Sequence, residues 1–328
     1  MIKFIVKRLF YMVPTLIGIS MLSFFIIQLP PGDYLTQRIA ALEEQGQTID
    51  VATLEVMKAR YGLDRPIIVR YWKWISGIVF RGDFGESFEW NRPVTQMIWG
   101  RLGMTFMLSF ITLIFIWIIA FPVGIYSAVK KYSIGDYVFT FFGFIGLAIP
   151  NFLFALTLMY FAFTQFGLSV GGLFSPKYVE AAWSWDKFVD LMQHIWIPMI
   201  VLGLSGTAGL IRTMRANLLD ELKKPYVVTA RAKGLTENRL LVKYPVRVAL
   251  NPFISTVGWI LPTLVSGSTV VSIVLNLPTT GPLLLRSLQS QDMYLAGSFI
   301  LLLSTLTVIG TLLSDILLAL ADPRIRFS

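Results

Sequence analysis

DELKKPYVVTARAKGLTENRLLVKYPVRVALN, residues 220–251, is a polar and strongly basic run set between two long apolar stretches. Pro225 suits the first turn of a helix, where a missing N–H costs nothing, and Gly234 can end that helix in the left-handed conformation that side chains disfavour. The spacing predicts a helix of about two turns over residues 226–233. A helix so short is unstable alone in water and needs a surface to hold it. Val227, Val228 and Ala230 are small and apolar, which permits close approach, while Arg231 and Lys233 can reach acidic partners. These features suit a helix that lies across a membrane surface and docks into a groove of a cytosolic protein. An ordinary basic cytoplasmic loop is the plainer reading of the same residues.

The flanks decide the class. Of 328 residues 55% are hydrophobic and 14% charged, and the mean hydropathy is +0.68. Such a chain belongs in a bilayer. It has no cysteine and one histidine, which removes disulfides, thiolate nucleophiles and the usual metal clusters. The sequence shows neither a nucleophile, base and orienter set nor a Gly-x-x-x-x-Gly-Lys-Ser/Thr phosphate loop. It therefore offers no catalytic, cofactor-binding or metal-binding residues, and ATP chemistry would belong to another chain.

Charges bracket six uncharged windows: 9–32, 102–129, 137–176, 191–211, 248–285 and 293–314. Crossing the hydrocarbon takes about 20 residues. Each window is thus read as one span, the third and fifth with a connecting loop attached. The first follows Lys3, Lys7 and Arg8 as a signal peptide would, but it is too long and lacks a small-residue cleavage site, so it reads as an uncleaved span. The expectation is an all-α integral membrane protein with six transmembrane helices. Residues 1–32 supply the N-terminus and first helix, and 33–101 a large extracytoplasmic insertion. Residues 102–320 form a five-helix core with a cytoplasmic loop at 219–250, and 321–328 a cytoplasmic tail.

Basic residues in short loops mark the cytoplasmic side. The N-terminal segment, Lys130 and Lys131, nine basic residues between 212 and 247, and Arg324 and Arg326 then share that side. Both termini and the 220–251 run are placed in the cytoplasm. The same placement accounts for the net charge of +9 without nucleic acid. In the insertion, residues 40–60 read as a helix, and Tyr71, Trp72, Trp74, Phe80 and Trp90 give enough aromatic surface for a small fold at the outer interface. It could dock a binding protein or cap the helices.

Pro150 falls inside the third window, where a proline frees a carbonyl and bends the helix. Irregular backbone at membrane depth must face protein or water, which makes Pro150, Asn151 and Phe152 pathway candidates. In the fifth window Pro252 and Pro262 interrupt a segment carrying Ser266, Thr269 and Ser272, with Asn276 in the turn beyond. These four are the second set of candidates, and plain packing competes for both sets. Gly203, Gly206 and Gly209 lie three apart and predict close helix packing, and His194 a structural role. Asp315 is costly in a span unless paired, and Arg212 or Arg215 is its expected partner. An ion-coupled secondary transporter would need such groups at mid-membrane, and only Asp315, near one end, comes close.

The segment from Tyr226 to Leu235 resembles the coupling loop of binding-protein-dependent ABC importer permeases of the dipeptide and oligopeptide group. That loop carries Glu-Ala-Ala, three residues, then Gly; Ala230 and Gly234 match, while Val228 and Thr229 replace the glutamate and first alanine. Gly82-Asp83-Phe84-Gly85-Glu86-Ser87, Pro93-Val94 and the ending Ala321-Asp322-Pro323-Arg324-Ile325-Arg326 resemble the same family, so the likeness covers nearly the whole chain. Relatives carry a glutamate near 272 and Pro-Gly-Leu-Gly from 278, where this chain has Ser272 and Pro278-Thr279-Thr280-Gly281. The resemblance implies a type I importer permease in a prokaryotic inner membrane. It implies a homologous second permease, two cytosolic ATPase subunits that bind ATP and Mg, and an extracytoplasmic substrate-binding protein. Tyr226, Val227, Thr229, Ala230, Arg231, Ala232, Lys233 and Gly234 would couple to the ATPases. The cargo implied is oligopeptides or dipeptides, with oligosaccharides or glycosides as the alternative within the group.

Overall fold

The computed structural model describes residues 2–30, 32, 34–44, 55–56, 58–59, 62–168, 171–251, 253 and 269–321. In chain order the helices are α1 (Ile2–Ile27), α2 (Tyr34–Glu44), α3 (Ile67–Arg81), α4 (Val94–Val129), α5 (Ile134–Ala148), α6 (Asn151–Phe166), α7 (Trp185–Leu222), α8 (Pro225–Ala232), α9 (Glu237–Lys243), α10 (Pro245–Ala249), α11 (Thr269–Val274), α12 (Thr280–Gln289) and α13 (Met293–Ala321). Among the described residues there is no strand, only an antiparallel bridge between Glu86 and Pro93.

Among the described residues four helices, α1, α4, α7 and α13, are long and apolar enough to cross a membrane, and the bent pair α5–α6 makes a fifth if it is one broken span. That pair corrects the expectation of a single kinked helix beginning near residue 137. Ile149 is extended (φ −84°, ψ 124°), Pro150 follows at φ −57°, ψ 132°, and the two axes differ by 103°. Proline offers no N–H to the ladder and excludes helical geometry from the residue before it. The chain therefore leaves the helix and restarts. Residues 252 and 254–268, the middle of the fifth window, lie outside the described residues, as do 322–328 and most of the expected helix over 40–60.

The chain divides into two compact units. One comprises Thr105–Pro278 and Ile309–Ser328. Its axis is α7, on which α5, α6, α10 and α11 pack. Ile116 and Ala120 of α4, Leu210, Met214 and Leu218 of α7, and Val246 and Ala249 of α10 with Phe253 form its core. Small residues set the approach distance: a Cβ on Gly203 would fall 2.8 Å from Phe115, one on Gly206 2.9 Å from Ile116, and one on Gly146 2.6 Å from Leu204. Gly209, expected to act likewise, has nothing within 4 Å of such a Cβ. His194 is buried with Nδ1 2.7 Å from the Asp190 carbonyl, one turn back on the same helix.

The other unit comprises Ile2–Met104 and Thr279–Val308. Phe24 of α1 stacks on Trp74 of α3 at 5.4 Å, and both join Tyr34, Leu35, Tyr71, Phe88, Met293 and Leu301 in one core. Asp292, fully buried, ties this unit together. Its Oδ2 accepts from the Ser87 hydroxyl at 2.5 Å and the Glu89 N–H at 3.3 Å, and its Oδ1 caps α13 through the Leu295 N–H at 3.2 Å. Burial pushes the Asp292 carboxyl above the ordinary carboxylate range, and these hydrogen bonds pull against that shift. Outside it, Arg286 pairs with Glu89 at 2.8 Å and lies over the Trp90 ring. The stretch 82–93 is thus packed as a cap on its own unit.

Candidate functional site

Helix α8 begins with Pro225 in its first turn and ends at Ala232, and Gly234 follows at φ +79°. The Lys233 N–H donates to the Thr229 carbonyl at 3.0 Å and the Leu235 N–H to the Ala230 carbonyl at 3.4 Å, so the glycine turn satisfies carbonyls the helix end would leave open. Only two residues separate α8 from α7. A displacement of α8 therefore reaches the long helix directly.

The two faces of α8 differ. Val227 and Ala230, three apart, are buried with Leu240 of α9, and Leu235 and Tyr244 close the cluster. This is the surface that so short a helix requires, and the chain supplies it itself. On the other side Val228 is 56% exposed, and Thr229, Arg231, Ala232, Lys233 and Gly234 are exposed with it. An exposed valine flanked by a threonine and an alanine leaves a smooth apolar step beside two cations.

Polar contacts fix the pose. The Tyr226 hydroxyl donates to Glu221 near the end of α7, and burial together with that carboxylate pushes the phenol well above its ordinary value. Arg231 grips Glu237 with two hydrogen bonds, Nε to Oε1 at 2.5 Å and Nη2 to Oε2 at 3.0 Å. That bond holds the Glu237 carboxyl below its usual range. Sequence reasoning offered Arg231 to an outside acid, whereas the structure pairs it with Glu237 across the Gly234 turn. Glu221 and Glu237 were missed, although both fall within six residues of the groups they hold.

A second device sits on α7 seven residues before its end. Arg215 donates to both oxygens of Asp136, at 3.0 and 2.9 Å, and Asp136 also accepts the Tyr132 N–H at 2.9 Å. Asp136 is 2% exposed, and Ser133 caps its helix. The turn between α4 and α5 is thereby clamped to α7. Arg215, one of the two partners expected for Asp315, goes to Asp136 instead, because Asp136 stands in the first turn of α5, which packs along α7.

The described pathway candidates differ in exposure. Pro150 is exposed, Asn151 half-buried, and Phe152 44% exposed at the start of α6. Ser272 is fully buried where α11 packs on α6 and α7. Thr269 is half-buried and Asn276 is exposed at φ +51°, while Ser266 lies outside the described residues.

With this geometry in view, the comparisons with known proteins decide the family. The profile of the "binding-protein-dependent transport system inner membrane component" matches residues 120–327, and that of its N-terminal component matches residues 1–109. The chain belongs to this family. Among similar permease proteins, the oligopeptide transport system permease protein AppB of Bacillus subtilis is 38% identical, with all of both chains covered. The glutathione transport system permease protein GsiC of Pectobacterium atrosepticum is 33% identical over all of both chains, and the dipeptide transport system permease protein DppB of Escherichia coli K12 is 30% identical over 99% of each. As an inner membrane component of this family, the chain is a multi-pass membrane protein, and α1, α4, α7 and α13 are its clearest spans.

Proposed function

We propose that this chain is the membrane-spanning permease subunit of an ATP-driven importer for oligopeptides or dipeptides. The observation that carries the reading is full-length similarity to an oligopeptide permease, joined to an exposed, glycine-ended helix next to the longest span. The relatives named above are assigned to oligopeptide, dipeptide and glutathione transport, which favours peptides over oligosaccharides as cargo.

In this reading a sixth span runs through residues 248–285, both termini lie in the cytoplasm, and a homologous permease, two ATPase subunits and an external binding protein complete the complex. The exposed face of α8, with Val228 and Thr229 at its centre, seats in a groove of an ATPase subunit. ATP binding closes the ATPase pair and displaces α8; α7 carries the displacement into the spans, and the Asp136–Arg215 pair transmits it to α5. Coupling of this kind requires that α8 make different contacts in the two states of the ATPases, since equal contacts would transmit nothing. The experiment is uptake into proteoliposomes with and without ATP and the ATPase subunits. Uptake that depends on both supports the reading, and uptake by this chain alone on an ion gradient would replace it with a secondary transporter.

A further inference from the structure

We propose that the open side of α9 and α10 lies against the bilayer surface and binds anionic phospholipid headgroups through Arg239, Lys243 and Arg247. The three cations stand four residues apart, so each follows the last by about one helical turn. All three are exposed, and among the described residues none is held by an acid of this chain. Between Glu237 and Ala249 the acidic residue is Glu237 itself, and both its oxygens are taken by Arg231. The surface therefore presents three uncompensated positive charges, which call for an anionic partner.

Two observations choose a membrane over an acidic protein surface. First, valines share the open side: Val242, next to Lys243, is 68% exposed, and Val248, next to Arg247, is 42% exposed. The other sides of the two helices are closed, by Leu240 against α8 and by Val246 and Ala249 in the core around α7. An acidic patch satisfies cations but leaves such valines in water. A headgroup layer takes the charges, and the acyl boundary beneath it takes the valines. Second, the uncharged run 248–285 begins one residue after Arg247, so α10 delivers the chain to the bilayer; this step rests on the reading of that run as a span. Eight residues at 1.5 Å each put Arg239 at most about 12 Å from Arg247, close to the Debye length, so all three cations feel an anionic surface. Lys243 lies over the Tyr244 ring, 5.4 Å from its centroid, and tyrosine is a residue of the headgroup level. Because Leu240 of α9 packs on α8, lipid bound here braces the platform under α8.

The test places a nitroxide label on full-length protein bearing Val242→Cys, the only cysteine then present. Nanodiscs are made of phosphatidylcholine alone or with about a third phosphatidylglycerol. Paramagnetic resonance compares collisions of the label with oxygen, which enters lipid, and with a neutral nickel chelate, which stays in water. Phosphatidylglycerol should raise the oxygen-to-nickel ratio at position 242 about threefold or more. Raising the salt to about 1 M should reverse the rise, and so should Arg239→Gln, Lys243→Gln and Arg247→Gln combined in one chain. The same ratio in both membranes, or a rise that survives both treatments, overturns the proposal. So does a label that is shielded only when ATPase subunits are added, which would give this face to a protein. A second label at Ile273, 47% exposed and inside the 248–285 run, should report lipid in both membranes. If it reports water, the span reading fails and the proposal with it; if it reports lipid, a flat response at position 242 counts against the proposal alone.

Discussion

Two short connecting regions carry acidic side chains to opposite ends. In the stretch 82–93, the carboxylate that matters is Asp292, fully buried and hydrogen-bonded by Ser87, Glu89 and Leu295. Around α8 the carboxylate that matters is Glu237, which lies on the surface and holds Arg231 across a turn. A buried hub is costly to disturb because every donor it satisfies would be stranded, whereas an exposed pair in water contributes little to stability. The first region is built to stay in place. The second is anchored on one face through Val227 and Ala230 and left open on the other, as the proposed docking onto an ATPase subunit requires.

The comparison breaks most severely at Asp292. Asp292→Ala strands two backbone N–H groups and a hydroxyl, and should lower unfolding stability by about 3 kcal/mol, read as a fall in thermal or denaturant midpoint in detergent. Its titration has a definite sign. Because burial raises the folded-state pKa of Asp292, the fold gains stability from the bound proton below the ordinary carboxylate value of about 4, and loses that gain as pH rises through the raised value. Relative to Asp292→Asn, which cannot titrate, the unmodified protein should therefore be more stable at pH 4 than at pH 7. A difference that does not change with pH would remove the buried carboxylate from the account.

Next in size is Gly234→Val. Its added Cβ meets no neighbour, so the cost is backbone strain at φ +79°, about 1–2 kcal/mol and confined to one turn. Membrane insertion and midpoint should change little, while ATP hydrolysis continues without uptake; unimpaired uptake would deny the turn its role. The smallest effect belongs to Glu237→Gln. It should leave the midpoint unchanged across pH 5–8, because the Glu237 carboxyl, held low by Arg231, is ionised throughout that window and the pair is lost only as pH falls below it. A measurable drop in this window would make α8 a stiffer element than its exposure allows.

Much of this contrast could be read from the chain in order. Pro225 and Gly234 bound α8 to within a residue, because helix ends are written in local residue types. The apolar windows located α1, α4, α7 and α13 for the same reason, as length and hydropathy are local. What escaped is long-range. Ser87 and Asp292 lie 205 positions apart and Asp136 and Arg215 lie 79 apart, and no pattern in a single sequence joins them. Pro150 was legible as a disturbance, but its 103° was not, since the angle depends on how α5 and α6 each pack against α7. The burial of Ser272 was not legible either, because a hydroxyl in a span reads the same whether it faces water or a neighbouring helix.

The absence of cysteine makes the decisive experiment clean. A single cysteine at Val228, on the open face of α8, should cross-link to a co-assembled ATPase subunit in the intact complex, in a yield that changes when ATP is bound, and a cysteine at the buried Val227 should not. If Val228→Cys is alkylated equally well in the lone chain and in the working complex, and captures no partner in either nucleotide state, α8 is not the part through which this permease is driven.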